Sequence, residues 1–524
     1  LIIASVHTSD RNPYSRFKIQ DNSADFLNIL RLKKEVILTS FANPYALRTI
    51  NGLDHFTAML QAYQNSENSN ELAAQAIFGA LKVNGKLPVS INRSYPSGFG
   101  LEVSDIQRFN YVIPEEIGIQ REWLTEIDSI ALEGIKAHAY PGCQVMVASH
   151  GKVFYNRTFG YHSYDSSMIV RVNDVYDLAS VTKIAATLPV VMELQEKGII
   201  NLDFALCDYI PELVDTSEYA NLSLREILAH QAGLAAWIPF YKKTMLNGSL
   251  RYDVFSLDSS EIYSRQIANN LWINKAYEDT IYKQILRTPL NGYGEYKYSD
   301  LGYYFLKRIV EKLTGEKLDV YLQRTYYGPL GMNRTFFNPL HKLSLNEIIP
   351  TENDLVFRKQ MIQGFVHDPG AAMLGGVGGH AGLFSNANDL AKLMQMYING
   401  GTYGGMKYLG DSVINEFTAC QYCQNDNRRG AGFDKPMINN EKGGPTCTCV
   451  SYLSFGHSGF TGTYAWADPQ DELVYIFLSN RVHPDAGNKE LVNLSIRTRI
   501  QEVIYSAVER SKHLETERDS VSKK

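Results

Sequence analysis

The chain has no run of 18 or more apolar residues, so no membrane-spanning helix is expected from it. It has no charge excess either. Lys and Arg total 51 against 56 Asp and Glu, a net charge of -5, which offers no basic surface for nucleic acid or an anionic membrane. Six cysteines in 524 residues are too few for a disulfide scaffold. Four of them form two close pairs, Cys420 with Cys423 and Cys447 with Cys449. Structural zinc prefers spacings of two to four residues, which the second pair lacks, so zinc ranks below a disulfide and both rank below free thiols. A starting Met is absent, and Leu1 to Val6 reads as a buried strand rather than a basic leader. The chain is therefore expected to begin inside a domain of a longer or processed polypeptide.

What remains is a globular composition, 44% hydrophobic and 20% charged, with length for two or three domains. Three segments are expected: 1–112, 113–510 and a frayed charged tail, 511–524. In the first, Leu1 to Val6 and Val36 to Phe41 read as buried strands, and Ser23 to Leu32, Gly52 to Tyr63 and Glu71 to Leu81 as helices. That pattern is α/β. In the second, Glu122 to Ala137 reads as an amphipathic helix and Gly142 to Ala148 with Val153 to Gly160 as a hairpin about His150-Gly151. A helix-rich stretch follows, then a buried strand at Leu473 to Leu478 and a closing helix at Glu490 to Glu509. Strands from both ends of the segment with helices between them predict an α+β domain.

The first segment resembles the end of the C-terminal α/β domain of family 3 glycoside hydrolases. The resemblance is carried by Ala42-Asn43-Pro44-Tyr45-Ala46-Leu47, Ala73 to Gly79 and Gly85-Lys86-Leu87-Pro88-Val89-Ser90. In that family the nucleophilic Asp lies on a preceding barrel, for which this chain has no room. A glycosidase site is therefore not expected in it.

Ser180-Val181-Thr182-Lys183 sets a hydroxyl and an amine three residues apart, on one face of a helix. The bare spacing also occurs at Ser15, Ser149 and Ser520, and a Ser opening a helix is an ordinary N-cap. Ser180 differs in following an extended Val175 to Leu178 and opening an apolar helix, which Pro189 is expected to kink or break. Two more segments follow in order: Tyr298-Ser299-Asp300 before a helix, and His457-Ser458-Gly459-Phe460 before the last apolar strands. With these three elements residues 115–510 resemble the serine beta-lactamase and penicillin-binding-protein superfamily, in its class C, esterase and D-aminopeptidase branch. Leu224 to Leu234 resembles a further segment of that superfamily and otherwise reads as a helix end capped by Gly233.

The resemblance implies a beta-lactamase-like fold and an acyl-enzyme on Ser180, with Lys183 or Tyr298 as base and Tyr298 favoured. It also implies substrate contacts at Asp300, His457, Gly459 and Phe460, and an oxyanion hole from the N–H groups of Ser180 and Phe460. No cofactor or metal is expected. Asp300 stands where Asn is usual, and His457 stands where lactamases carry Lys. A free His is half charged near pH ~6.5, so anionic substrates are expected to bind better as pH falls. These departures favour an esterase, amidase or D-peptidase over an efficient lactamase.

Gly375 to Gly379 lacks the Lys-Ser/Thr of a phosphate loop and reads as a tight loop lining the site wall. His367, Asp368 and His380 lack a recognised metal spacing. Tyr464, Trp466 and Arg481 are candidate pocket residues. Three classes stay open: a serine hydrolase, a non-catalytic penicillin-binding-like sensor, and a scaffold module attached to a family 3 beta-N-acetylglucosaminidase. The glycosidase-like segment suggests a small-molecule or peptidoglycan-derived substrate and a bacterial periplasm or cell-envelope location.

Overall fold

The structure is a computed structural model that describes residues 1–8, 18–439 and 443–522. Its contacts divide the chain into two units, Leu1–Tyr111 and Val112–Lys524. The first unit holds β1 (Ile2–His7), α1 (Asp21–Lys33), β2 (Val36–Phe41), β3 (Ala58–Gln61) and α2 (Glu67–Ile77). The strands run parallel in the order β1-β2-β3. Their core is built from Val36, Leu38, Leu27, Leu47 and Leu53. The helix expected over 52–63 is not formed. A single 3-10 turn at Leu53–His55 gives way to β3, because a short apolar run suits either element and the open edge of β2 supplies the backbone partners.

The second unit opens with α3 (Thr125–Lys136), followed by the hairpin of β4 (Gly142–Ser149) and β5 (Lys152–Gly160). His150 and Gly151 at its tip have φ of 52° and 72°, the left-handed pair that a tight two-residue turn requires. Next come a short strand β6 (Tyr176–Asp177), α4 (Leu188–Glu196), α5 (Leu224–Leu228), α6 (Leu301–Thr314), a short strand β7 (Leu383–Ser385) and α7 (Ala387–Ile398). Three strands close the unit, β8 (Phe455–Ser458), β9 (Tyr464–Asp468) and β10 (Leu473–Ser479), before α8 (Ile496–Ser522). The strands of its main sheet lie antiparallel in the order β8-β9-β10-β4-β5.

Both faces of this sheet are covered, which explains why β4 and β10 are buried at every position. Val145, Val147, Trp466, Tyr475 and Phe477 pack with Ile127 and Ile130 of α3 and Ile500 and Ile504 of α8. Helix α7 packs against β4, β9 and β10. Tyr464 and Trp466 belong to the core, not to a pocket: both are about 1% exposed and their rings stack at 5.4 Å. Among the described residues no helix is long and apolar enough to cross a membrane.

Several local expectations are corrected. Cys420 bonds Cys423 and Cys447 bonds Cys449, with Cα separations of 5.8 and 5.4 Å that suit disulfides, so free thiols is the wrong reading. Residues 383–385 form a short strand that pairs with β6. The closing helix is preceded by a separate turn at Glu490–Asn493, and α8 runs to Ser522, into the segment expected to fray. Residues 523 and 524 lie outside the described ones. Helix α5 ends earlier than Gly233, since His230 already has φ 56°.

The break expected at Pro189 appears as a π-helical turn, Lys183–Thr187, just before it. Pro189 has no N–H for the carbonyl of Ala185, and Tyr327 Oη donates to that carbonyl at 2.9 Å. Tyr397 Oη serves the Ile184 carbonyl at 2.9 Å, and Tyr326 Oη the Pro189 carbonyl at 3.0 Å. Two buried phenols thus support the turn that carries Lys183, and a third meets the carbonyl just beyond it. Tyr327→Phe leaves one of these carbonyls unmet and should cost about 1–3 kcal/mol, read as a lower urea midpoint at unchanged m.

Candidate active site

Ser180 lies in a 3-10 turn, Ala179–Val181, rather than at the N-cap of a regular helix. Ala179 has φ 47°, an unfavourable conformation for a residue with a side chain, and its surroundings hold it there. Asp177 Oδ1 accepts the Ala179 N–H at 2.9 Å while Oδ2 accepts the His367 N–H at 2.6 Å. Leu178 N–H donates to the Leu383 carbonyl at 2.9 Å. From the other side, Thr461 Oγ1 donates to the Asp177 carbonyl at 2.7 Å and Thr463 Oγ1 to that of Leu178 at 2.8 Å. The backbone before Ser180 is therefore clamped between β7 and the turn joining β8 to β9.

Lys183 is fully buried and spends its hydrogens inside the cluster. Nζ donates to Ser180 Oγ at 2.9 Å, Tyr298 Oη at 2.7 Å and Asp300 Oδ1 at 2.6 Å, with the His380 carbonyl at 3.4 Å. Tyr298 Oη in turn lies 2.8 Å from Ser180 Oγ. The Ser180–Lys183 and Tyr298–Asp300 pairs, more than 100 positions apart in the chain, thus meet through hydrogen bonds to one Lys183 Nζ. The Gly375–His380 loop does reach this wall, through the His380 carbonyl and through that of Gly379, which accepts from Thr187 Oγ1 at 2.6 Å.

Burial pushes the Tyr298 phenol well above its usual range, and the negative charge of Asp300 adds to that; the Ser180 hydrogen bond and Arg429 oppose it. The resting side chain is a neutral phenol. This weakens the expectation that Tyr298 serves as a ready base, because desolvating a phenolate outweighs the nearby cations. The ring is packed by His230 at 4.5 Å between centroids and has the Arg429 guanidinium 5.3 Å from its centre. His230 Nδ1 accepts the Ser299 N–H at 3.2 Å and so fixes the tripeptide Tyr298-Ser299-Asp300.

His457 lies beside Tyr298, with ring centroids 6.0 Å apart, and its Nδ1 donates to the Ser458 carbonyl at 2.7 Å. Burial, reinforced by the positive charges of Arg429 and Lys183, pushes its imidazole down to about 3. The expected gain of charge on approaching pH 5 is therefore corrected: His457 stays neutral across the range in which a free His titrates. Gly459 and Phe460 form the turn after it. A Cβ on Gly459 would lie 2.1 Å from Thr463 Oγ1 and 2.4 Å from the Leu178 carbonyl, so only Gly lets the turn approach the backbone before Ser180. The N–H groups of Ser180 and Phe460 donate to no acceptor among the described residues. Phe460 is 52% exposed, stacks on His367 at 5.2 Å and carries the Arg481 guanidinium 4.4 Å from its centre, which places Arg481 at this rim.

Asp177 and Arg429 were not singled out by the sequence, and His230, Thr461 and Thr463 lie in or beside segments noted there without a role of their own. An Asp two residues before a strained Ala is an Asx-turn signal that could have revealed Asp177. Nothing local marks Arg429, in a loop far from the motifs, paired there with Asp434 at 3.4 Å. His380 Nε2 bonds Asp368 Oδ1 and His367 Nδ1 lies near Glu352 Oε1, each at 2.8 Å. Among the described residues no group of three or more His, Cys, Asp or Glu side chains could hold a metal.

The depressed imidazole has a thermodynamic consequence. Between about pH 3 and the unfolded value near ~6.5, the unfolded chain binds a proton at residue 457 that the folded chain refuses, so stability rises with pH through that window. His457→Asn should remove a slope of up to ~1.4 kcal/mol per pH unit from urea unfolding followed across it. An unchanged slope would mean that the imidazole is protonated in the fold.

The chain matches the family model described as Beta-lactamase over residues 127–495. A protein of Salmonella agona (strain SL483) named "Putative D-alanyl-D-alanine carboxypeptidase" is 31% identical over 405 residues, covering 72% of this chain and 87% of its own. One of the same name from Escherichia coli (strain K12) is 30% identical over 404 residues, covering 72% and 86%. Among solved structures, a penicillin-binding-protein homologue from Caulobacter crescentus superposes with a TM-score of 0.52 at 20% identity, covering 74% of this chain and 98% of its own. EstCE1, a hydrolase with promiscuous acyltransferase activity, gives 0.53 at 16%, covering 73% and 99%. These last two speak to the fold alone. By its family match and its carboxypeptidase-named relatives, the chain belongs to the beta-lactamase and penicillin-binding-protein superfamily of serine hydrolases.

Proposed function

We propose that the second unit hydrolyses an ester, amide or D-peptide through an acyl-enzyme on Ser180, with Lys183, Tyr298 and Asp300 moving the protons. The observation that carries this reading is the single buried ammonium within hydrogen-bond reach of the Ser180, Tyr298 and Asp300 oxygens. Lys183 first passes a proton to Asp300 along the 2.6 Å bond, and the resulting amine takes the proton of Ser180 as Oγ bonds to the substrate carbonyl carbon. The N–H groups of Ser180 and Phe460 receive the developing oxyanion. When the bond to the leaving group breaks, Tyr298 gives that group its hydroxyl proton and is refilled from Lys183, which recovers its own from Asp300. Water then releases the acyl group.

The relatives' printed name favours a D-alanyl peptide as substrate, and the glycosidase-like first unit is in keeping with a peptidoglycan-derived one and an envelope location. A neutral His457 leaves no fixed cation where lactamases carry Lys, which disfavours efficient turnover of carboxylate-bearing lactams. The parallel sheet of the first unit supports its reading as the end of a family 3 glycoside hydrolase C-terminal domain without a glycosidase site. The three ordered elements, Ser180 with Lys183, Tyr298 with Asp300 and His457 before Gly459, are in keeping with the class C, esterase and D-aminopeptidase branch.

Two experiments test the chemistry. A fluorophosphonate should add covalently to Ser180, and Ser180→Ala should abolish both the adduct and ester hydrolysis; labelling that persists in the variant overturns the choice of nucleophile. Asp300→Asn separates the two possible bases. If Asp300 is the proton sink that frees Lys183, acylation should fall by roughly 10²-fold, the scale of a lost acid-base partner. If Tyr298 were the base, removing the charge that raises its phenol would speed acylation instead.

A further inference from the structure

The Arg429 guanidinium is buried, with its centre 5.3 Å from that of the Tyr298 ring. Nε and Nη2 each donate to Tyr296 Oη at 3.3 Å, while Nη1 is buried and has no acceptor among the described residues. Its counter-charge is shared. Asp434 makes its closer contact, 2.9 Å, with Arg428 and leaves Arg429 one at 3.4 Å. One carboxylate cannot cancel two guanidiniums, so positive charge persists beside Tyr298. The backbone keeps it there. Asn427 Oδ1 accepts the Arg429 N–H at 3.1 Å, and the Arg429 carbonyl accepts the Gln421 N–H at 2.9 Å. Asn427 Nδ2 also donates to the Ala229 carbonyl at 2.9 Å, next to the His230 that packs on Tyr298.

The other charged and titratable groups around this phenol are Lys183 and Asp300, the imidazoles of His230 and His457, and the phenols of Tyr296 and Tyr303. Burial and the nearby cations push both imidazoles down, so neither offers a charge. Lys183 gives up its proton and recovers it in the cycle above, whereas a guanidinium keeps its own throughout. We propose that Arg429 is a positioning residue for leaving-group protonation: its fixed charge, acting on Tyr298, lets the enzyme release alcohols and amines too basic to depart as anions. The inference rests on the acyl-enzyme reading. As the carbon–oxygen or carbon–nitrogen bond breaks, its electron pair goes to the leaving atom, and the Tyr298 Oη proton joins it there. Negative charge grows on Oη until Lys183 refills it, and Arg429 attracts that charge while it lasts. A weakly basic leaving group such as p-nitrophenoxide needs no such proton. The reach of the enzyme from activated esters to alkyl esters and amides therefore depends on Arg429.

The test compares kcat/KM for the p-nitrophenyl ester, ethyl ester and methylamide of N-acetyl-D-alanine, which share one acyl group and differ in what leaves. Arg429→Gln removes the charge and keeps N–H donors for Tyr296 and Asp434. The ratio of ethyl to p-nitrophenyl ester should fall roughly tenfold or more in it, the scale of a unit charge lost across a few ångströms of partly screened interior. The methylamide should follow the ethyl ester. Because Arg429 acts through Tyr298, the fall should vanish when Tyr298→Phe is already present. A milder variant, Arg428→Gln, leaves Asp434 to Arg429 alone and should lower the ratio several-fold in the same direction. An unchanged ratio in Arg429→Gln, or a fall that persists in the Tyr298→Phe background, overturns the inference; if Arg429→Gln does not fold, an unchanged ratio in Arg428→Gln does so. Ser180 labelled by the fluorophosphonate with wild-type turnover confined to the p-nitrophenyl ester, or with none, also overturns it. Failure of the fluorophosphonate to label Ser180, with none of the substrates turned over, overturns the acyl-enzyme reading instead.

Discussion

A lysine with no exposure to water is tolerable only where its charge is met by an acid and its hydrogens by acceptors; Lys183 has both, and the rest of the second unit is arranged to supply them. Asp300 provides the charge, Ser180 and Tyr298 the oxygens, and the loop at His380 a carbonyl. Remove Asp300 and an ammonium is left without its counter-charge in the interior, a loss of several kcal/mol in comparable buried pairs. The same contacts that make the residue tolerable are the ones the proposed proton transfers would use, since each partner is a site to which a proton can move.

That arrangement depends on backbone held away from its preferred shapes. Ala179 sits at positive φ and residues 183–187 form a π turn, and neither would persist on an isolated peptide. Asp177, Thr461 and Thr463 stabilise the first; Tyr327 and Tyr397 stabilise the second. The strain lies on the two sides of Ser180 and Lys183, so the hydroxyl and the ammonium are presented at a fixed separation before any substrate arrives.

Much of this was legible in the chain because it is carried by short ordered motifs: Ser180 with Lys183, Tyr298 with Asp300, and His457 before Gly459. The hairpin at His150-Gly151 and the strand at 473–478 were legible for a similar reason, since turn chemistry and apolar runs are local signals. Protonation states were not. The neutral His457 and neutral Tyr298 follow from burial and from Arg429, whose loop bears no relation in sequence to the motifs. Trp466 and Tyr464 could have been placed correctly by parity alone. Two residues apart on one strand they share a face, and that face is the core. The exchange of helix for strand at 58–61 needed knowledge of the open edge of β2, which is a tertiary fact.

The pairing of β10 with β4 joins Leu473 to Ser149 and Ser479 to Cys143, strands made near the two ends of the unit. During synthesis the hairpin of β4 and β5 must therefore wait, with one edge unpaired, until more than 300 further residues have left the ribosome. Such distant pairing makes folding slow and leaves an apolar edge open to wrong partners in the meantime. It also means that the turn bearing Thr461 and Thr463, which clamps the strained backbone before Ser180, comes into being only with the last strands. A nascent or truncated chain would carry the serine and the lysine without the geometry that joins them, and so would be inert until the domain is complete.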